Sequence, residues 1–117
     1  MVWAKLAAAS MFLAVALGAF GSHALRGKIS DYCLDIYKTA VLYHMVHALG
    51  LFAVAWLSTV TNDPKVNWAG LFMIAGILLF SGSLYLLSIT GLKWLGAITP
   101  LGGLSFLAAW VLLLLVK

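Results

Sequence analysis

From Thr39 to Val60 the chain reads TAVLYHMVHALGLFAVAWLSTV, and from Asn67 to Ile89 it reads NWAGLFMIAGILLFSGSLYLLSI. Neither run contains Lys, Arg, Asp or Glu. At about 1.5 Å of rise per residue, each is long enough as a helix to cross a hydrocarbon core of roughly 30 Å. Between them Thr61-Asn62-Asp63-Pro64-Lys65 is a turn signal in which Pro64 biases Asp63 away from helix, so the two runs form an antiparallel hairpin. Outside this hairpin lie two more apolar runs, Trp3 to Ser22 and Ile98 to Val116. Four consecutive spans must alternate in direction. The end of the first, the start of the second, the end of the third and the start of the fourth therefore share one membrane face. That face, here the motif side, carries Gly18 to His23, Tyr43 to His47, Ser81 to Tyr85 and Thr99 to Gly103.

Composition leads to the same class. Hydrophobic residues make up 65% of the 117 residues and charged ones 9%, against about 25% charged in soluble domains. Spans in lipid must satisfy their own backbone hydrogen bonds, and these runs are continuous instead of alternating, so helices are indicated and a barrel is not. The expected fold is a single all-α domain, an integral membrane four-helix bundle with antiparallel up-down connectivity. The net charge is +4, but the basic residues cluster at span ends and in loops, where they suit lipid head groups, and no nucleic-acid partner is expected. Cys33 is the one cysteine, so no internal disulfide forms, and it reads as a structural thiol.

The N-terminal run imitates a secretory signal, with Lys5 before an alanine-rich stretch and small residues at Ser22-His23-Ala24, yet it is longer than the usual apolar core of a signal and reads as a span. Arg26, Lys28, Lys38 and Lys93 lie on the motif side and Lys5, Lys65 and Lys117 on the far side, a one-charge preference for a cytoplasmic motif side that a charged terminal amine would erase. Trp3, Trp56, Trp68 and Trp110 read as a far-side aromatic belt, with Trp94 marking the motif side. Gly91 suits a left-handed cap on the third helix, and Thr99 and Pro100 suit the N-cap and first position of the fourth.

Between the first two spans, Ile29, Tyr32, Cys33, Ile36 and Tyr37 recur at helical spacing opposite Lys28, Asp31, Asp35 and Lys38. This predicts a short interfacial amphipathic helix, either lying on the bilayer or extending the second span into water; its two aspartates read as a solvated face. Ala7, Met11, Ala14, Gly18 and Gly21 form a small-residue seam on the first helix. Ser81, Tyr85 and Ser88, with Gly82 beside them, form a stripe on the third, and Gly102, Ser105 and Ala109 form one on the fourth, so hydroxyls and small residues are expected to meet near one end. No repeat of fixed period is visible.

Histidines are the sharpest chemical signal, because an imidazole in lipid is costly unless paired. His44 and His47 lie on neighbouring faces of the second span, with His23 on the same side of the membrane. Three imidazoles raise zinc or haem held by His23, His44 and His47 as an alternative. Against one ion, His47 lies eight residues beyond Thr39, about 12 Å deeper than the surface position of His23. No carboxylate lies within any of the four runs to orient a ligating imidazole. No cofactor is therefore expected, and the histidines read as hydrogen-bonded structural groups, with Tyr43 and Tyr85 as natural partners of His47. The N-terminus of the fourth helix, with Lys93 nearby, could also receive an anionic lipid head group. The candidate polar pocket comprises His23, Tyr43, His47, Ser81, Tyr85, Thr99 and Gly102.

At these residues a family resemblance emerges. Gly18-Ala19-Phe20-Gly21-Ser22-His23-Ala24-Leu25, Tyr43 through His47-Ala48-Leu49, Leu79-Phe80-Ser81-Gly82-Ser83-Leu84-Tyr85 and Ile98-Thr99-Pro100-Leu101-Gly102-Gly103 resemble the YgdD-like family, the domain of unknown function 423. The likeness spans roughly Ala16 to Trp110 and departs at Ser22, where alanine is usual, and at His44, where glutamine is usual, leaving His23 and His47 as the family-like pair. It implies a small four-span protein of the bacterial inner membrane, related to a mitochondrial membrane protein of animals, and carries no catalytic residues to transfer. The leading expectation is a non-catalytic bundle that binds membrane lipid or anchors another membrane protein or a second copy of itself. A haem or metal carrier using His47 with His23 or His44, and a proton or small-solute path, are the alternatives. Almost wholly apolar stretches at Leu51 to Leu57, Leu71 to Leu79 and Val111 to Val116 argue against the path.

Overall fold

Four helices long and apolar enough to cross a membrane account for nearly the whole chain in the computed structural model, which describes residues 1–117. They are α1 (Val2–Leu25), α2 (Asp31–Val60), α3 (Pro64–Thr90) and a fourth span over Lys93–Leu114, in which a 3-10 turn at Lys93–Ala97 leads into α4 (Thr99–Leu114). There is no strand. The segment after the first span resolves to the second of the two versions expected for it: Ser30 caps the helix by accepting from the Cys33 amide at 3.1 Å, and α2 then runs unbroken for 30 residues into the bilayer.

The turn chemistry follows the residues. Asp63 is extended, with Pro64 opening α3 behind it, and Gly91 ends α3 in the left-handed region at φ 72°. Thr99 departs from expectation. It is the first residue of α4 instead of its cap, and its hydroxyl lies 2.7 Å from Ser83 Oγ, tying the start of α4 to the end of α3.

Both odd-numbered helices contain a five-residue π turn in the half nearer the motif side, Leu17–Gly21 in α1 and Ile77–Ser81 in α3, each with a phenylalanine fourth. The two hairpins thus share a plan that the residues alone do not display. A π turn inserts one extra residue and so rotates everything beyond it by about 100° relative to a straight helix.

Helices α2 and α3 form the centre. Helix α1 packs on α2 through the expected seam: Ala7 and Ala14 are buried, Gly18 lies against Val41 and Gly21 against the Tyr37 hydroxyl, which donates to the Leu17 carbonyl at 2.5 Å. Helix α4 packs on the other side of α3, with Gly102 against the Phe80 backbone, Gly76 against the Phe106 ring, and Ser105 Oγ donating to the Phe72 carbonyl at 2.6 Å. The α3 stripe does not meet the α4 stripe. Ser81 and Tyr85 turn instead toward α2, where Ser81 Oγ donates to the Ala40 carbonyl at 2.8 Å.

On the far side, three segments are pinned together as antiparallel spans require. Trp3 Nε1 donates to Asn67 Oδ1 at 2.8 Å, and the Asp63 carboxylate accepts from the Lys117 amide at 2.9 Å and the Lys65 amide at 3.0 Å. Those two amides, the Lys117 one foremost, hold the Asp63 carboxyl below its ordinary value of 3.8. A carboxylate with a depressed folded-state pKa stabilises the fold above the unfolded value and loses that contribution as pH falls through the folded one. Thermal unfolding in detergent should therefore move to lower temperature below about pH 4, and Asp63→Asn should remove this acid-dependent component. Identical pH profiles for the two proteins would show that the clasp does not form.

Candidate functional site

Helix α2 carries its two histidines toward different neighbours. His44, buried, faces α1 and α3: Nδ1 lies 2.9 Å from Tyr85 Oη and Nε2 lies 3.1 Å from Ser10 Oγ. The Tyr85 ring meets Tyr37 edge-on at 5.2 Å between centroids. Tyr85 is thus the partner of His44 and not of His47.

His47, also buried, faces α4. Its Nδ1–H donates to the Tyr43 carbonyl at 2.8 Å, and its Nε2 accepts from Trp110 Nε1–H at 3.0 Å. An indole N–H can only donate, so Nε2 carries the lone pair and the imidazole is the neutral Nδ1–H tautomer. The ring stacks on Phe106 with 3.4 Å between centroids and 9° between planes. Trp110, read as a belt residue, keeps an exposed ring but directs its N–H to this histidine.

The remaining candidates are distributed over the helix interfaces. His23 is exposed at the motif end of α1. Tyr43 lies at the surface of α2 with its ring 4.5 Å from Phe80 and parallel to His47. Ser81 is buried between α3 and α2, Thr99 joins α4 to α3, and Gly102 is the closest approach of α4 to the α3 backbone. The seven residues do not form one pocket. Nor do His23, His44 and His47 converge: no group of three His, Cys, Asp or Glu side chains is placed to hold an ion.

The structure does contain a cavity, on the other side of α2. A groove of about 330 Å³ lies between α1 and α3 over α2, with Leu6 and Leu13 on one wall, Ile77 and Leu78 on the other, and Leu51 at the far end. Ser10, His44 and Tyr85 supply its only hydrogen-bonding side chains, and Gly82 leaves one side open. The rim residues Leu6, Leu13 and Leu78 are exposed on the helix surfaces, so the groove opens toward surrounding lipid. A second cavity of about 440 Å³ lies at the motif-side end, bounded by Tyr32, Cys33, Leu87 and Lys93. Ser10 was not legible as a site residue, because it is a lone hydroxyl in an alanine-rich run with no partner at helical spacing.

Comparison with known proteins agrees with this architecture. The family profile described as protein of unknown function (DUF423) matches residues 17–103. The chain is 53% identical over 113 residues to the UPF0382 membrane protein YwdK of Bacillus subtilis (strain 168), covering 96% of this chain and 92% of the relative. It is 46% identical over 110 residues to the UPF0382 membrane protein SAB0533 of Staphylococcus aureus (strain bovine RF122 / ET3-1), covering 94% and 89%. No solved structure matches it. With a profile match over most of its length and full-length relatives named as membrane proteins, the chain belongs to the DUF423 family.

Proposed function

We propose that this protein is a non-catalytic component of the bacterial inner membrane that holds an apolar molecule from the bilayer in the α1–α3 groove. The observation that carries this reading is the groove itself: about 330 Å³, walled by leucine and isoleucine, and open sideways to lipid. That volume lies within the range of small-molecule sites. A membrane lipid needs no aqueous entry path, because it diffuses to the rim within the leaflet.

The hydroxyl chemistry supports a binding role over a catalytic one. Ser81, Ser88 and Ser105 each donate to a main-chain carbonyl, at 2.8, 2.8 and 2.6 Å, and no carboxylate lies within the expected spans to orient a histidine as base. His47 is committed on both ring nitrogens.

Gly82→Leu tests the reading. A Cβ at position 82 meets only the Ile77 carbonyl, at 3.9 Å, an ordinary contact, so the side chain can enter the groove without disturbing the bundle. Leucine also exceeds glycine in helix propensity by somewhat under 1 kcal/mol. Native mass spectrometry from nanodiscs should show a retained lipid-sized adduct on the wild type and about tenfold lower occupancy on Gly82→Leu, with thermal stability equal or higher. Equal occupancy in the two proteins would remove the groove as the binding site.

A further inference from the structure

We infer that the groove is built for a neutral, carbonyl-bearing ring on an apolar tail, the chemistry of an isoprenoid quinone; the inference rests on the groove being a binding site. It follows from counting protons in the Ser10–His44–Tyr85 cluster. Three protons are available: one on each hydroxyl and one on the neutral imidazole. The three side chains share two links, His44 Nδ1 to Tyr85 Oη and His44 Nε2 to Ser10 Oγ, and the Ser10 main chain beside the imidazole can take a proton from Nε2 but none from either hydroxyl in this arrangement. If the imidazole proton is on Nε2 it is donated to Ser10, Tyr85 donates to Nδ1, and the Ser10 proton is left over. If it is on Nδ1 it is donated to Tyr85, Ser10 donates to Nε2, and the Tyr85 proton is left over. Neither hydroxyl has any other side-chain or main-chain partner. Both tautomers therefore leave one O–H donor in a cluster that lines the groove.

An unused donor in an apolar environment is costly, and a ligand acceptor would relieve that cost. The acceptor should be uncharged, because no Lys or Arg lines the groove. It should also sit within the hydrocarbon. Tyr85 lies five residues inside the end of α3 at Thr90, about 7.5 Å along the axis, and helical side chains lean toward their own N-terminus, here the far side. The ester carbonyls of a glycerolipid stay near the head groups, above this level. A quinone ring resides below them, presents carbonyl acceptors, and carries the apolar tail that the leucine and isoleucine walls suit.

The test uses the full chain in nanodiscs of quinone-free lipid and three probes with one tail: a decyl-substituted benzoquinone, decylbenzene, and the methyl ester of undecanoic acid. Binding is followed by intrinsic fluorescence, and the quinone carbonyl stretch by infrared difference spectroscopy. The quinone should bind about tenfold more tightly than decylbenzene, the factor expected of one hydrogen bond, with its carbonyl band moved to lower wavenumber. In S10A/Y85F the quinone affinity should fall to that of decylbenzene and the band should return. Gly82→Leu, which keeps both hydroxyls, should exclude all three probes. Equal binding of quinone and decylbenzene overturns the inference while leaving an apolar-chain groove intact. An ester that binds as tightly as the quinone assigns the acceptor to glycerolipids and overturns the quinone class. Binding of none of the three to the wild type defeats the groove reading as well.

Discussion

Gly102→Val should abolish the folded bundle. A Cβ built at Gly102 falls on the backbone nitrogen, Cα and Cβ of Phe80, atoms that belong to α3 itself and cannot swing aside. Helices in lipid associate by packing and a few hydrogen bonds, without a hydrophobic force between them, so close contact is a principal attraction and its loss is not offset elsewhere. Separating α4 from α3 would also strain the contacts of Phe106 with Gly76, of Ser105 with the Phe72 carbonyl and of Thr99 with Ser83. Overpacking usually costs about 1–3 kcal/mol, and a clash with main chain belongs at or above the top of that range. Alanine at the same site should already be harmful, although alanine is favoured over glycine in a helix by about 1 kcal/mol. The neighbouring Gly103 supplies the control: its Cβ would meet the Phe80 ring no closer than 3.8 Å, so Gly103→Ala should be neutral or mildly stabilising. Thermal unfolding of Gly102→Ala and Gly103→Ala in detergent, with helicity read by circular dichroism, distinguishes a local packing effect from a general intolerance of the α4 N-terminus. Similar losses in both would place the tight contact elsewhere.

The contrast between Gly102 and Gly103 also marks where reading residues stopped being sufficient. Spans, the α2–α3 hairpin, the Gly91 cap and the α1 seam depend on local composition and short spacing, and all four were legible. Which face of α3 meets which neighbour was not. Ser81, Tyr85 and Ser88 keep one stripe, but the π turn at Ile77–Ser81 shifts the half of α3 that carries them relative to the half before it. Ser81, the last residue of the turn, and Tyr85 beyond it are carried to α2, and α4 takes up the side bearing Phe72, Gly76 and Phe80. Nothing in ILLFS announces a π turn. The second role of Trp110 was hidden for a different reason: an indole near a span end suits a belt by position alone, and only a neighbouring acceptor, His47 Nε2, shows that its N–H is also used internally. The groove was hidden because its polar floor draws one residue from each of three helices, Ser10, His44 and Tyr85, and no single helical period connects them.

These two histidine environments set the second large effect. His47→Leu removes the acceptor of the Trp110 N–H, which makes no other hydrogen bond, and the ring that stacks on Phe106. The Tyr43 carbonyl is less affected, since as a helical carbonyl it keeps its main-chain partner. Intramembrane hydrogen bonds average only about 0.6 kcal/mol, but a donor left without any partner costs about 1–3 kcal/mol. The stranded indole therefore dominates, and His47→Leu should lose about 2 kcal/mol. His44→Gln should lose under about 1 kcal/mol, because one amide offers both an N–H and a C=O and can serve Ser10 and Tyr85 together. Unfolding in mixed detergent micelles, with Trp110→Phe added to each variant, isolates the cause. Once the indole N–H is gone, His47→Leu should cost much less than it does in the wild-type background, whereas the cost of His44→Gln should not change. Equal losses from the two histidine substitutions, or a His47→Leu penalty indifferent to Trp110→Phe, would mean that the α2–α4 contact is held by ring packing on Phe106 and not by the imidazole–indole hydrogen bond.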